Sequence, residues 1–204
     1  MVYNISEFYV NKFSCLTNPD KIEIDFIPSI LKRRISLLDK VCISLLNKTC
    51  SPDIQNIIYS SQFGEVDRLL KIISQYSEFK EVSPNLFSAS VHNYPVGFFL
   101  FNIKKPLPYS ALSAADNTIS SGLLAALISN YDNTLYCYCD VNNNQINAFA
   151  LNISKKQKGK SRKYIIKLEN NKKTDNFKDY IKLFNGEILS IKTPQYIIER
   201  AQND

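Results

Sequence analysis

The stretch Ser83–Ile128, SPNLFSASVHNYPVGFFLFNIKKPLPYSALSAADNTISSGLLAALI, decides the fold of this chain. Its pattern predicts a helix, an extended connection, a tight turn and then a second helix. From Ser120 to Ile128 the second helix carries no charged residue on any side. A helix that is apolar all round is buried on all sides, and one this short cannot span a bilayer. We therefore expect a central helix with protein packed on both faces.

Several motifs of this stretch resemble the N-terminal half of beta-ketoacyl synthases, and more narrowly the short chain-length-factor-like proteins. The similar segments are Ser83–Pro84, the SVHN run Ser90–Asn93, the AADNTISSGLLAAL turn and helix, and the upstream helix ILKRRISLLDKV at Ile30–Val41. They follow one another in the family's order between roughly Pro28 and Val141. The resemblance implies an α/β thiolase-like half with a mixed sheet around the buried helix. It also implies a single domain over residues 1–204, in which residues 142–204 form a C-terminal cover segment.

The departures from the family pattern concern catalysis. Active synthases of the resembled family place a cysteine three residues before the glycine of the nucleophile turn, and counting back from Gly122 gives Ile119. An acyl-enzyme needs an activated thiol or hydroxyl, which isoleucine lacks. Active members also use two histidines from the C-terminal half, whereas the one histidine here is His92. We therefore expect a vacated nucleophile position at Ile119, no catalytic set and no cofactor.

Three functional hypotheses follow. The first is a non-catalytic subunit of fatty-acid, polyketide or aryl-polyene type biosynthesis, which pairs with a full-length ketosynthase or docks acyl carrier protein. Its candidate core or interface residues are Phe87, Val91, His92, Asn93, Phe98, Phe99 and Phe101. The second is an acyl-transferring enzyme with Ser120 or Ser121 as nucleophile and His92 as base, because the ordinary pKa of histidine suits that role. The third is a free-standing structural homodimer.

Structural roles are the alternative to the catalytic interpretations of these residues. A structural hydrogen bond is the favoured role of His92, and Asp116 and Asn117 are candidate caps of the second helix. Half a synthase would leave an apolar flank of the helix Ile119–Ile128 uncovered, and such patches mark interaction sites. The residues after Val141, a second copy or a different subunit could cover that flank.

Composition limits the remaining classes. Hydrophobic residues make up 45% of the 204 residues and charged residues 22%, as in soluble globular proteins. Met1–Phe13 contains no secretory signal and no run approaches a membrane span, so we expect a cytoplasmic protein. Five cysteines in mostly apolar runs indicate buried thiols, and Cys137 and Cys139 should share one strand face. No histidine or further cysteine pair accompanies them, so no metal site is predicted.

Basic residues explain the net charge of +6. The run KKQKGKSRK carries six of them at Lys155, Lys156, Lys158, Lys160, Arg162 and Lys163. It is interpreted as a mobile, solvated hairpin tip or as a dock for an acidic partner such as acyl carrier protein. Nucleic-acid binding is weakest, because no aromatic residue is interleaved for stacking. Lys32, Arg33 and Arg34 are likewise a solvated helix face or an acidic-partner dock.

The rest of the chain gives a coarse order of elements. Period-2 patterns predict strands at VYNISEFYV (2–10), IQNIIYSS (54–61), TLYCYCDV (134–141), INAFALNIS (146–154), KYIIKLE (163–169) and EILSIKT (187–193). IEIDFI (22–27) is an edge strand or an extended lead-in. Helices are expected from Pro28 to Leu45, over 64–76 with Val66, Leu69, Leu70 and Ile73 inward, and over 175–184 with Thr174 as cap. The loop 60–64 is interpreted as a plain turn.

Overall fold

The computed structural model describes residues 7–201. These residues form eight strands: β1 (Glu7–Leu16), β2 (Asn56–Ser60), β3 (Tyr109–Leu112), β4 (Asn133–Asn142), β5 (Gln145–Ser154), β6 (Arg162–Leu168), β7 (Ser190–Lys192) and β8 (Tyr196–Arg200). The α-helices are α1 (Ser29–Lys32), α2 (Leu37–Thr49), α3 (Val66–Phe79), α4 (Pro84–Ser88), α5 (Tyr94–Ile103), α6 (Thr118–Ile128) and α7 (Phe177–Asn185). Single 3-10 turns lie at Pro19–Lys21 and Ala115–Asn117.

All eight strands join one mixed sheet in the order β3-β2-β4-β5-β1-β6-β8-β7. Strand β2 runs parallel to both β3 and β4, whereas the remaining pairs are antiparallel. The expectation of a mixed sheet is thus confirmed. Because β2, β3 and β4 are parallel, their carboxyl ends meet at one edge of the sheet, where α/β proteins place ligand sites.

Alternating side chains of the central strands build two separate cores. On one face Leu135, Cys137 and Cys139 of β4 pack against α2 and α5. On the other face Tyr136 and Tyr138 pack against α6 and α7. The two cysteines therefore share a strand face, as predicted. The period of two residues in β4 and β5 thus produces an α/β/α arrangement with the sheet in the middle.

The predicted long helix after Pro28 is instead two helices. Ser36 ends the first segment and caps α2, since its hydroxyl accepts from the Asp39 N–H while the Asp39 carboxylate accepts from the Ser36 N–H. This reciprocal pair is a capping box, which stabilises a helix start. The apolar stripe crosses the break, because Ile35 is buried in the same core although it belongs to neither helix.

The prediction for α3 was wrong about which side faces the protein. Leu69, Leu70 and Ile73 were expected to point inward, yet all three are more than half exposed. The buried residue of α3 is Arg68. The helix is amphipathic as the pattern indicated, but its apolar side faces outward.

The central stretch differs from the predicted single helix before the turn. Residues 83–103 form α4 and α5, separated by a break that contains His92 and Asn93. Both helices begin with a proline in the first turn, where the missing N–H costs no hydrogen bond. Strand β3, which follows α5, was not predicted.

The C-terminal segment completes the sheet. The hairpin of β4 and β5 is confirmed, and Asn143 and Asn144 adopt the positive φ angles of its tight turn. Strand β8 was not predicted, and α7 is capped by the Asn176 side chain, so the predicted Thr174 cap was wrong. Tyr180 and Leu183 of α7 belong to the same core as α6, and the Tyr196 hydroxyl of β8 donates to the Ser120 carbonyl of α6 at 2.7 Å. On its outer side Leu124 and Ala125 are only partly buried and Ile128 is 43% exposed.

The elements before α1 differ from the predicted ones in their bounds and type. The predicted first strand began at Val2, but residues 1–6 lie outside the described part, and β1 continues to Leu16. Residues 22–27 form no strand, so the alternative of an extended lead-in holds. Across residues 7–201 the structure contains no helix with the length and apolar character needed to span a membrane.

Candidate functional site

The carboxyl edge of the parallel strands is organised by Asp140 at the end of β4. Its carboxylate accepts hydrogen bonds from the Ser61 hydroxyl at 2.6 Å and from the Tyr138 hydroxyl at 2.6 Å. It also accepts from the backbone N–H groups of Gln62 and Phe63, at 3.0 and 3.2 Å. These bonds satisfy a buried charge and fix the loop after β2. The loop 60–64, which was predicted as a plain turn, is therefore held at this edge by hydrogen bonds to Asp140.

His92 packs against the same loop. Its Nε2 lies 3.2 Å from the Leu112 carbonyl oxygen, and its ring packs on Tyr59 with centroids 5.5 Å apart. A Cβ at Gly64 would lie 2.8 Å from the His92 Nδ1, and Gly64 has a φ of +58°. Glycine is thus required twice, for backbone conformation and for the close approach of the imidazole. His92 connects the α4–α5 break to β2 and β3.

The N-terminus of α6 holds the position where the resemblance predicted a vacated nucleophile. Ile119 is buried there, and its carbonyl accepts a hydrogen bond from the Tyr136 hydroxyl at 2.9 Å. The Asp175 carboxylate accepts from the Ser120 N–H at 2.7 Å and from the Tyr180 hydroxyl at 2.9 Å. Burial raises the pKa of Asp175 above its ordinary value, although these donors favour the charged form.

The predicted caps of α6 were wrong. Asn117 occupies the cap position without a side-chain capping bond, and Asp116 accepts instead from the Gln62 side chain at 3.2 Å. Asp175 supplies the missing acceptor from the C-terminal segment. A negative group there is favoured by the helix dipole. Sequence reasoning missed this residue, because nothing local joins positions that are 55 residues apart.

The two candidate serines have structural partners. The Ser120 hydroxyl donates to the Asn117 carbonyl at 3.1 Å, and the Ser120 carbonyl accepts from the Tyr196 hydroxyl at 2.7 Å. The Ser121 hydroxyl accepts from the Gln195 side chain at 3.2 Å. Within residues 7–201 neither hydroxyl is hydrogen-bonded to His92, so the structure does not bring the serine–histidine pairs together as a bonded dyad.

A small cavity of about 130 Å³ opens beside the α6 N-terminus. Its lining residues are Gln62, Ala115, Asp116, Thr118, Ile119, Tyr138, Asp175 and Phe177. The lining offers two carboxylates and hydroxyl groups but no thiol. This chemistry suits hydrogen bonding to a small polar group.

A large apolar surface lies away from this edge. Leu69, Leu70, Ile73, Tyr76 and Phe79 form the outward side of α3, here called the α3 face, and are 51–65% exposed. Helix α3 packs on α4, whose neighbourhood adds exposed Phe87 and Val91. Monomeric soluble proteins rarely expose contiguous apolar patches of several hundred Å². This surface is therefore the strongest candidate for an interaction site.

The predicted interface residues are distributed over three environments. Phe87, Val91 and Phe101 have exposed side chains, and Asn93 is also exposed. Phe98 is partly buried and packs on Tyr94 with ring centroids 5.7 Å apart. Phe99 is a core residue. Phe101 lies one helical turn after Gly97, where a Cβ would be 3.2 Å from the Tyr109 hydroxyl of the edge strand β3.

Several basic residues of the candidate docking sets already have partners. In the loop between β5 and β6, Lys158 pairs with Asp53 and Lys155 donates to a backbone carbonyl, as does Arg162 at the start of β6. Lys163 pairs with Glu7 on β1, and Lys32 pairs with Asp25 at 3.0 Å. Contacts with neighbouring parts of the chain thus hold part of the basic run, whose residues 155–160 are exposed. Arg33, Lys156 and Lys160 make no ion pair within residues 7–201 and are exposed.

Comparison with known proteins gives a family and a fold. The family model for the beta-ketoacyl synthase N-terminal domain matches residues 10–176. A chain from a ketosynthase (ApeO) in complex with its chain length factor (ApeC), from Xenorhabdus doucetiae, is 18% identical with a TM-score of 0.72. That alignment covers 95% of this chain and 99% of the other. No match was found among curated proteins.

A second solved structure is also similar. It is a type II polyketide synthase acyl-carrier protein in complex with its ketosynthase bound to the hexaketide (AntDE:AntF). The matched chain is 11% identical with a TM-score of 0.58, over 82% of this chain and 71% of the other. At these identities the two structures establish the thiolase-like fold.

Proposed function

Because this chain belongs to the beta-ketoacyl synthase N-terminal domain family, we propose that it is a non-catalytic subunit that pairs with a full-length ketosynthase. The observation that carries the proposal is the α3 face, an amphipathic helix whose apolar side has no cover within residues 7–201. In a monomer an apolar stripe of this kind lies against the core, whereas the α3 face is exposed.

The area of the surface supports a stable partner. Leu69, Leu70, Ile73, Tyr76, Phe79, Phe87 and Val91 are each about half exposed or more. Fully exposed aromatic side chains offer about 150–250 Å² each, so Tyr76, Phe79 and Phe87 alone present roughly 350 Å² at their exposures of 57–65%. One partner in a standard stable complex contributes about 800 Å².

The sheet edge offers a second element of recognition. Strand β3 lies at the end of the sheet and pairs on one side with β2, and no strand of residues 7–201 pairs with its other side, which could accept one. Tyr109 and Phe101 are exposed beside this edge. Strand addition and apolar contact at the α3 face together would give both affinity and orientation.

The identity of the partner follows from the related complexes. The similar solved structures contain a ketosynthase with its chain length factor, and a ketosynthase with its acyl-carrier protein. We infer the same class of partner here, in polyketide, aryl-polyene or fatty-acid type biosynthesis. In this account Ile119 replaces the nucleophile, and the subunit shapes the acyl channel of its partner or docks the carrier protein.

The test is co-expression with a full-length ketosynthase encoded near this chain, followed by mass determination with light scattering. A one-to-one complex supports the proposal. A monomer that does not bind the ketosynthase, or a homodimer that excludes it, would overturn the proposal. The degenerate acyltransferase has no geometric support from a bonded serine–histidine pair and stays a prediction.

A further inference from the structure

Helix α3 is held on the protein by a buried cluster of charges rather than by its apolar side. Arg68 donates to the Asp39 carboxylate at 2.7 Å, to the Arg34 carbonyl at 3.1 Å and to the Ala89 carbonyl. Its guanidinium also lies over the Tyr94 ring, 5.1 Å from the centroid. One side chain thus connects α3 to α2, to the segment before α2, and to the end of α4.

Two carboxyl groups share this one guanidinium. The Glu65 carboxyl lies 3.4 Å from Arg68 and accepts from the Ser36 hydroxyl at 2.6 Å. The side chain of Asp39 is fully buried and that of Glu65 is 3% exposed. With both ionised, a buried cluster of this size would carry a net negative charge, which is costly in a low-dielectric interior. One of the two carboxyls is therefore expected to keep a proton.

One buried carboxylate oxygen of the cluster has no hydrogen-bond donor within residues 7–201, which indicates that the pair keeps a proton. Asp39 Oδ2 accepts from Arg68 and from the Ser36 N–H, whereas the buried Oδ1 has no donor among the described residues. Burial, followed by the charge of Asp39, raises the pKa of Glu65 to about 8, against the opposing effects of the Ser36 hydrogen bond and the Arg68 charge. A proton kept by the pair would add a hydrogen-bond donor to the cluster.

We propose that Glu65 and Asp39, here called the acid pair, hold helix α3 in place only while they share a proton, so that seating of the α3 face is proton-dependent. A cavity of about 30 Å³ lined by Ser36, Glu65 and Asp67 gives the proton a path to solvent. The consequence for pairing rests on the proposed function, whereas the seating of α3 is a property of this chain alone.

Other charged and titratable groups surround the acid pair. They are Arg68 and Asp67 on α3, Arg34 before α2, Cys42 on α2, Tyr94 on α5, Cys139 on β4, and His92 against Gly64. Arg68 is the cation that hydrogen-bonds to the pair, and burial raises the pKa values of Cys42, Cys139 and Tyr94 so that these groups stay neutral. The charge of the cluster is therefore set by the proton on the pair.

The sign of the pH effect follows from the raised pKa. The ordinary pKa of a glutamate is 4.5 and the folded pKa of Glu65 is about 8, so unseating α3 releases a proton between these two pH values. The equilibrium for opening should therefore increase with pH across this window, by up to about tenfold per pH unit. Above pH 8 the opening should level off.

The test uses the isolated chain. Hydrogen exchange of the α3 amides, corrected for intrinsic rates, is measured from pH 5 to 9 in the wild type, Glu65→Gln and Glu78→Gln. Glutamine mimics the protonated acid and can donate to Asp39, so Glu65→Gln should show opening that no longer depends on pH. Glu78 is an exposed residue of the same helix and serves as the matched control. The same pH dependence in wild type and Glu65→Gln would overturn the proposal.

A second measurement needs no variant. In protein labelled with ¹³C at glutamate carboxyls, one glutamate should titrate near pH 8. Titration of every glutamate below pH 6 would overturn the proposal even if Glu65→Gln failed to fold. Neither readout involves a partner, so failure here leaves the pairing proposal standing. If the seating of α3 depends on pH but the chain does not pair with a ketosynthase, only the proposed ketosynthase partner is rejected.

Discussion

The Asp175 carboxylate accepts a hydrogen bond from the Ser120 backbone N–H at 2.7 Å, in the first turn of α6. The chain thus places its own negative group at the helix end where the resemblance predicted a nucleophile. This contact attaches the C-terminal segment to the buried helix. It also supplies the cap that the local sequence lacks.

Removing this carboxylate should destabilise the protein. Asp175→Ala removes the acceptor for the Ser120 N–H and for the Tyr180 hydroxyl, and loss of a helix cap costs about 1 kcal/mol. Asp175→Asn retains an acceptor oxygen and should lose less. The free energies of unfolding of the three proteins in urea at pH 5 check this. Equal stability of Asp175→Ala and the wild type would contradict the capping role.

Asp175 should also make the stability of the protein depend on pH. Burial raises the pKa of Asp175 above its ordinary value of 3.8, so the folded state binds the Asp175 proton more tightly than the unfolded state does. Its contribution to stability is full below pH 4 and decreases as pH rises through the folded pKa. Relative to the wild type, Asp175→Asn should therefore gain stability as the pH rises from 4 through the folded pKa, measured by urea unfolding at each pH. A constant difference would contradict this.

A cysteine introduced at the vacated position should react slowly. A helix N-terminus normally lowers a thiol pKa, but in Ile119→Cys the Asp175 carboxylate opposes the thiolate and the site is buried. Labelling by iodoacetamide, located by peptide mass spectrometry, should become several-fold faster when Asp175→Asn is added. Equal rates with and without Asp175→Asn would show that the carboxylate does not control this site.

Gly122 should not tolerate a side chain. A Cβ at this position would lie 2.6 Å from the Ser60 hydroxyl oxygen and 2.8 Å from the Tyr136 ring. Gly122→Ala should therefore cost about 1–3 kcal/mol through overpacking. In a helix with free space the same change stabilises by up to about 1 kcal/mol. The unfolding midpoint in urea distinguishes the two signs, and a stabilised variant would contradict the close packing of α6 on β2.

Local sequence signals explain much of the fold. The period-2 pattern of residues 134–154 predicted the hairpin, and the apolar run at 119–128 predicted the buried helix. The spacing Ser36-x-x-Asp39 is also a local signal, and it would have located the start of α2 correctly. Strand β8 was missed although Tyr196 and Ile198 alternate inward.

Non-local features could not be read from the sequence. The pattern of α3 gives its apolar side, but whether this chain or a partner covers that side depends on tertiary placement. Arg68 lies in the first turn of α3, and no local signal marks it as the buried contact of that helix. The contacts of Asp175 and His92 likewise join distant segments, and the resemblance identified only the second as a notable residue.

The most direct test of the central claim is the mass of the complex with a full-length ketosynthase, for wild type and surface variants, by light scattering. The double variant Leu70→Glu and Ile73→Glu places two charges on the α3 face. Leu168→Glu changes a comparably exposed leucine on β6, several strands away from the β3 edge, and is the matched control. The account predicts a one-to-one complex for the wild type and the control, and free monomers for the double variant. A double variant that folds and pairs as well as the wild type would contradict it.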